Sequence, residues 1–127
     1  ATIESGAGIY RTEDTLRETC DRLLELRSRY ARIHLEDKSN VFNTNLTYTL
    51  EVGSMLDAAL AMAYSALHRK ESRGSHQRLD YTDRDDENYL THSMAYYQGN
   101  EEPRLEYQAV AITRSPPAER VYGGAGK

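Results

Sequence analysis

Two long segments with helical periodicity constrain the fold of this chain more than any other feature. In residues 12–33 the apolar side chains recur every three or four positions, at Leu16, Cys20, Leu23, Leu24 and Tyr30. Thr12 can cap the start of a helix, and Glu13 and Asp14 would interact favourably with its dipole. The segment is therefore predicted to form an amphipathic helix.

The second periodic segment, residues 43–70, is longer and more apolar. Its apolar and small residues recur at helical spacing, at Leu46, Leu50, Gly53, Leu56, Leu60, Ala63 and Leu67. Asn43 or Asn45 can cap this helix. The alanine-rich residues 58–66 have high helix propensity and let a neighbouring helix approach closely. Gly53 is predicted to mark a packing contact within the helix.

The rest of the chain is more polar and contains a weaker strand pattern. Residues 71–89 are predicted to form a loop, with at best a short helical turn. Apolar and polar residues then alternate on both sides of a Gly99–Pro103 turn, which predicts a β-hairpin over residues 90–113. The proline- and glycine-containing residues 114–127 predict an extended tail. The expected fold is one mainly α domain over residues 1–127, a helical bundle with a C-terminal β-hairpin or extended segment.

Charge and cysteine content exclude some classes of function. Lys and Arg number 16 against 20 Asp and Glu, for a net charge of -4. Proteins that bind nucleic acid usually carry a basic excess or a basic stripe, so no nucleic-acid partner is expected. Cys20 is the only cysteine, which rules out an internal disulfide and favours a reducing compartment such as the cytoplasm.

The sequence also lacks the motifs of a metal or catalytic site. The acidic cluster that starts at Asp83 has Asn88 at its sixth position, where a calcium loop has Gly, and Met94 at its twelfth, where it has Glu. There is no zinc-binding His-Glu-x-x-His, no cysteine pair, no phosphate-binding loop and no Gly-x-Gly-x-x-Gly. We therefore predict no catalytic, cofactor-binding or metal-binding residue in this chain. These residues alone indicate a binding or scaffold module.

The most concentrated polar feature is residues 68–78, with four basic residues, one acidic residue and two histidines. One interpretation is a helix C-terminus, where cations meet free carbonyl groups and Gly74 ends the helix. The other is a loop that docks on a partner surface. Under the second interpretation Arg73 and His76, on either side of the Gly74 turn, are the candidate domain-docking residues.

Six stretches, in this order and spacing, carry a family resemblance. They are Gly8–Thr12, Val41–Thr44, Arg69–His76, His92–Ala95, Leu105–Tyr107 and Pro116–Tyr122. Together they resemble the C-terminal portion of the flavoprotein subunits of fumarate reductase and succinate dehydrogenase. The Asn43-x-Asn45 cap and the Val121–Gly124 ending are more similar to the bacterial menaquinol-linked fumarate reductases. Ser75 stands where the commoner form of this motif has Ala.

This resemblance implies a parent enzyme that reduces fumarate to succinate through FAD, with electrons arriving from quinol through an iron–sulfur subunit. In that family the flavin-binding and substrate-binding residues lie upstream, so the resemblance implies FAD in the full-length parent and none in this fragment. It also implies a spectrin-repeat-like, up-and-down bundle of three helices, in which residues 3–7 end the first helix.

The partners implied by the resemblance are the flavin-binding domain of the same chain, the iron–sulfur subunit and the membrane anchor subunits. The parent complex would then lie in the cytoplasm, peripheral on the inner membrane. The alternative is a free-standing helical protein-interaction module without catalysis. A Gly-x-Gly-x-x-Gly fingerprint in the upstream reading frame would distinguish the two.

Overall fold

A computed structural model describes residues 2–118, and two long helices dominate it. The elements in chain order are α1 (Thr2–Gly6), β1 (Tyr10–Arg11), α2 (Glu13–Tyr30), α3 (Thr44–His68), β2 (Gln77–Arg78), α4 (Asp86–Tyr89), β3 (Thr91–Tyr96) and β4 (Arg104–Ala109). The helical architecture with one small antiparallel strand pair confirms the expected mainly α fold.

The core lies between α2 and α3, which run in opposite directions. The start of α2 meets the end of α3, where Lys70 pairs with Glu13, and the end of α2 meets the first half of α3, where Tyr30 lies against Gly53. The buried apolar residues come from the facing sides of both helices: Leu16, Cys20, Leu23, Leu56, Ala59, Leu60, Ala63, Tyr64, Ala66 and Leu67. Leu46 and Leu50 of the predicted apolar run are exposed instead, because the first turns of α3 lie beyond Gly53, where Tyr30 ends α2. Burial of these side chains is the main stabilising contribution to the pair.

Side-chain caps fix where the two helices begin. The Thr12 hydroxyl accepts a hydrogen bond from the Thr15 amide, and the Thr15 hydroxyl accepts one from the Thr12 amide, which closes a capping box at the start of α2. Asn43 caps α3 by accepting from the amide of Leu46. The predicted Thr12 cap, and Asn43 of the two asparagine alternatives, are therefore confirmed.

Both helices end earlier than the sequence pattern suggests. The α2 helix ends at Tyr30 instead of residue 33, because the amides of Arg32 and Ile33 bond carbonyls three residues back and tighten the chain into a turn. The α3 helix ends at His68 instead of residue 70, because Arg69 adopts an extended backbone. Periodicity does not report such local changes, and in α2 the apolar spacing continues past the end of the helix to Ile33.

The α3 helix is also long and apolar enough to cross a membrane by length and composition, and 44% of that window is buried inside the fold. A core helix of a soluble protein passes the same test. In this chain the buried side of α3 is the side that packs on α2.

The C-terminal part of the described chain is the predicted hairpin. Strands β3 and β4 pair antiparallel, from Thr91 opposite Ala109 to Tyr96 opposite Arg104. Leu105 of β4 packs against the helical core, which attaches the hairpin to the bundle. Residues 110–118 form no helix or strand, and residues 119–127 of the predicted extended tail lie outside the described residues.

One structural feature was not predicted. Strand β1, just before α2, pairs in parallel with β2, which lies within the predicted loop of residues 71–89. The sequence does not predict this pair, because each strand has only two residues, which is too short for a period-two pattern, and the partners lie 67 positions apart. The same loop contains α4, the short helical turn that the sequence allowed.

Candidate functional site

The candidate site is the segment of residues 69–86, called here the charged loop, which contains both predicted docking residues. It leaves the end of α3 and returns alongside the start of α2. The amide of Gln77 donates to the carbonyl of Ile9 at 3.3 Å, and that of Leu79 to the carbonyl of Arg11 at 2.8 Å. These bonds hold the loop across the end of the helical pair.

Arg78 is the central side chain of the charged loop, and it is 1% exposed. Its Nη1 donates to the carbonyls of Ala66 and Leu67, both at 3.2 Å, and of Arg69 at 3.4 Å. These are the free carbonyl groups at the end of α3. A distant arginine therefore caps this helix, which supports the helix-end interpretation of the basic segment but assigns the cap to a residue that sequence reasoning did not single out.

Asp80 connects the Arg78 cap of α3 to the start of α2. Its two carboxylate oxygens accept from Nε and Nη2 of Arg78, each at 2.7 Å. One of them also accepts from the backbone amide of Glu13, at 2.7 Å, in the first turn of α2. The cation thus lies at the negative end of one helix dipole and the anion at the positive end of the other. The hydrogen bonds from Arg78 lower the pKa of Asp80 to about 2.

A second cluster surrounds Glu71, whose side chain is fully buried. The carboxylate accepts from Nη1 of Arg69, from Nε and Nη2 of Arg73 at 2.9 and 3.0 Å, and from the amide of Asp85 at 2.9 Å. Burial alone would raise the pKa of Glu71, but the bonds from Arg73, the Asp85 amide and Arg69 outweigh it and the pKa is lowered. Glu71 is therefore a buried anion between two arginines.

The two arginines of this cluster connect the charged loop to other elements. Arg69 also donates to the carbonyls of Tyr89 and Thr91, at 2.8 and 2.7 Å, at the start of the hairpin. Arg73 also donates to the Asp86 carboxylate at 2.6 Å. The side chain of Arg73 is 28% exposed, so the predicted docking residue has internal partners and one accessible side.

His76, the other predicted docking residue, is held between two segments. Its Nδ1 lies 2.8 Å from Nη1 of Arg11 and its Nε2 lies 3.1 Å from the carbonyl of Arg69. Since arginine can only donate, Nδ1 accepts and Nε2 carries the proton. Burial, together with the nearby positive charges of Arg11, Arg78 and Arg69, lowers the pKa of His76. The imidazole is therefore neutral near pH 7.

The turn between the two docking residues is formed by their own backbones. The amide of Arg73 donates to the carbonyl of His76 at 2.8 Å, and the amide of His76 donates back at 3.0 Å. Gly74 sits at the turn with φ +60, a conformation that glycine adopts without steric cost. The structure thus brings Arg73 and His76 together at the tip of the charged loop.

The two chain segments that pair as β1 and β2 also carry exposed apolar side chains, called here the apolar strip. Ile9 and Tyr10 on the first chain segment are 63% and 70% exposed, and Leu79 on the second is 61% exposed. Sequence reasoning missed this strip, because its residues are far apart in the chain. We call Tyr10, Leu79, Arg73 and His76 together the docking face.

The acidic residues of the loop have structural partners. Asp85 caps α4 by accepting from the Asn88 amide at 2.9 Å, and Asp86 pairs with Arg73 and Arg84. Within residues 2–118 no group of three or more His, Cys, Asp or Glu side chains is arranged to hold a metal ion. The arrangement can fix chain segments and present a surface.

Two antiparallel helices, fixed at one end by a loop of buried ion pairs, define a small helical domain. The family model described as "Fumarate reductase flavoprotein C-term" matches residues 1–122. The chain belongs to this family of fumarate reductase flavoprotein C-terminal domains.

Individual relatives agree with this assignment. The chain is 54% identical to the fumarate reductase flavoprotein subunit of Haemophilus influenzae, in a match that covers 95% of this chain and 20% of that protein. It is 52% identical to the fumarate reductase flavoprotein subunit of Escherichia coli, in a match that covers 96% of this chain and 21% of that protein. A solved structure of E. coli quinol fumarate reductase has a TM-score of 0.92 at 51% identity, covering 98% of this chain and 22% of that one. The chain thus spans about a fifth of the length of its relatives.

Proposed function

We propose that this chain is the C-terminal packing domain of a longer FAD-dependent fumarate reductase flavoprotein, and that it completes that enzyme without contributing a catalytic residue. The observation that carries the proposal is the docking face. Arg73 and His76 are fixed in place by internal bonds, and the two paired segments that adjoin this turn carry exposed apolar side chains. A rigid polar turn next to an apolar strip suits a surface that another domain covers.

The parent reaction would be the reduction of fumarate to succinate through FAD, with electrons from quinol passing through an iron–sulfur subunit. The partners of this domain would be the flavin-binding domain of the same chain and, within the complex, the iron–sulfur and membrane anchor subunits. The complex would lie on the cytoplasmic side of the inner membrane. The support is the family and the quinol-fumarate reductase structures that the chain resembles.

The proposed domain covers residues 1–127 as a single unit. The α1 helix packs on α2, with Ile3 and Ala7 against the common core. Its position supports the view that α1 is the end of a first bundle helix, most of which would lie upstream of residue 1. In the parent, the three helices would then form the up-and-down bundle.

The docking face can be tested with substitutions that leave the isolated domain intact. Leu79→Ser and Tyr10→Ser alter exposed side chains, so we expect each to change the stability of the 127-residue domain by under about 0.5 kcal/mol. In the full-length flavoprotein, where these side chains would be buried, each should cost about 1.5 to 3 kcal/mol and lower fumarate reduction. Thermal unfolding and turnover of both proteins measure the difference.

The control is Met62→Ser, an exposed apolar position on α3 that lies away from the charged loop. Arg73→Ala and His76→Ala are less selective, because both side chains have partners within this domain and should lower stability in either protein. An additional loss in the full-length protein would support docking. Equal effects of the Leu79 and Tyr10 changes in the two proteins would contradict it.

A further inference from the structure

The loop that leads into α3 exposes the most accessible apolar side chain among the described residues. Phe42 is 95% exposed, and its neighbour Val41 is 70% exposed. Phe42 also has a backbone φ of +53, the left-handed region that a bulky residue rarely adopts. Backbone strain and an exposed aromatic ring at one position suggest a functional role for the ring.

The conformation of this loop is fixed by the side chain of Asn43. Its Nδ2 donates to the carbonyls of Asp37 and Ser39, at 3.1 and 3.0 Å, while its Oδ1 accepts from the amide of Leu46 at 2.8 Å. The amide of Ser39 in turn donates to the Asp37 carboxylate at 2.8 Å. These bonds hold the backbone on either side of Phe42, so binding a partner would cost little backbone ordering entropy.

Within residues 2–118 the ring is almost completely exposed and so contributes little to packing. Phe42 directly precedes the helix cap, a position from which an apolar residue often packs against the fourth residue of the helix. That residue is Thr47, and the high exposure of Phe42 shows that no such contact forms. Leu46 and Leu50, in the first two turns of α3, are also exposed, at 42% and 59%. We call Val41, Phe42, Leu46 and Leu50 the loop-tip surface.

We propose that the loop-tip surface is buried against the part of the same polypeptide that precedes this domain, as a second contact distinct from the docking face. The inference rests on the proposed function, in which this chain is the C-terminal fifth of a longer one. Helix α3 has 25 residues, so its two ends lie about 37 Å apart at 1.5 Å per residue. The two contacts would therefore hold the domain at both ends.

The composition of the surface favours a permanent partner, and the length of the preceding chain makes an intrachain one available. All four side chains are apolar, which is typical of permanent contacts, whereas contacts between subunits that exchange are more polar. About four fifths of the length of the relatives lies outside this chain, and the match to a C-terminal family places most of it before residue 1. That preceding chain is large enough to cover the surface.

Hydrogen exchange on the full-length flavoprotein, compared with the 127-residue domain, tests this proposal directly. We expect the amides of residues 41–46 to exchange at least about tenfold more slowly in the full-length protein, as expected where a partner blocks local opening. Equal exchange in the two proteins would overturn the proposal. Protection that appears only when the iron–sulfur subunit is present would assign the surface to that subunit. Protection that rises with the concentration of the isolated domain would assign it to a second copy. Either result would overturn the proposal.

A pair of variants separates the ring from the backbone. Phe42→Gly removes the ring and relieves the positive φ, so the isolated domain should melt at the same temperature or higher. In the full-length protein it should speed proteolytic release of the domain about tenfold, whereas Lys38→Ala, an exposed polar change in the same loop, should not. No change in release would overturn the proposal. If the full-length wild-type protein neither binds flavin nor reduces fumarate, the proposed function is refuted. The contact of the loop-tip surface is still tested in that case, because hydrogen exchange and proteolytic release do not depend on activity.

Discussion

Removing the charge of Glu71 is the most informative single change, because the carboxylate is fully buried between Arg69 and Arg73. Glu71→Gln preserves the shape of the side chain. The new amide group, however, directs N–H donors at guanidinium N–H donors, and only one oxygen remains to accept. Arg69 would then be left partly buried without its counter-ion, and Arg73 would retain only Asp86.

The expected loss follows from the bonds at this site. Hydrogen bonds to a charged group contribute about 1.5 to 3 kcal/mol each, and breaking a buried ion pair from one side costs about 3 to 5 kcal/mol. The glutamine retains part of the set, so we expect Glu71→Gln to lower the free energy of unfolding by about 2 to 4 kcal/mol. Glu71→Ala should cost about 3 to 5 kcal/mol. Since small domains are stable by only about 5 to 15 kcal/mol, either loss is easily measured.

Urea unfolding at pH 7, followed by far-ultraviolet circular dichroism, provides the measurement. The matched control is Glu87→Gln, the same chemical change at an exposed position in the neighbouring α4, with an expected effect within about 0.5 kcal/mol. If Glu71→Gln and Glu87→Gln both change stability by less than about 1 kcal/mol, the buried ion-pair cluster does not stabilise the charged loop.

The pH dependence gives an independent check. The folded-state pKa of Glu71 is lowered, so the unfolded chain takes up its proton at higher pH than the folded one. The stability from this carboxylate is therefore present above the unfolded value, about 4.3, and is lost as the pH falls through the folded value. The stability difference between wild type and Glu71→Gln should shrink below about pH 4. A difference that stays constant down to pH 3 would show that the charge is not its cause.

Two further predictions concern packing and cofactor content. A Cβ added at Gly53 would lie 2.5 Å from Oη and 2.7 Å from Cζ of Tyr30, so Gly53→Ala should destabilise the wild type by about 1 to 3 kcal/mol. In a Tyr30→Ala background the same change should stabilise the domain by up to about 1 kcal/mol, because alanine is the better helix former. Stabilisation of both backgrounds in urea unfolding would contradict the contact. The purified 127-residue domain should show no flavin absorption near about 450 nm, because it has no glycine-rich loop to cradle a dinucleotide, and a spectrum with bound flavin would refute this.

The sequence determined the helical pair, its packing face and the hairpin. Leu16, Cys20 and Leu23 on one helix, and Leu56, Leu60 and Ala63 on the other, repeat at helical spacing and are all buried. These features could be predicted because helix and strand periodicity is local. The spacing of apolar residues along a short segment determines which side chains lie on the same face. The six resembling stretches also indicated the family, which the family model over residues 1–122 confirms.

The interpretation of the charges depended on the tertiary structure. In the sequence Glu71, Arg78 and Asp80 resemble the solvated ends of a polar loop, which is the usual state of such residues. Arg78 is buried at the end of α3, where Asp80 links it to the start of α2, and Glu71 is buried between Arg69 and Arg73.

The same holds for the surfaces on which the proposals rest. The contact of Arg11 with His76 joins residues 65 positions apart, and the strip of Tyr10 and Leu79 forms only when β1 and β2 pair. The positive φ of Phe42 follows from bonds made by Asn43, and phenylalanine as a residue type gives no sign of it. Burial, ionic partners and backbone strain depend on how the chain folds back on itself in three dimensions, and hydrophobic periodicity along the sequence does not encode those contacts.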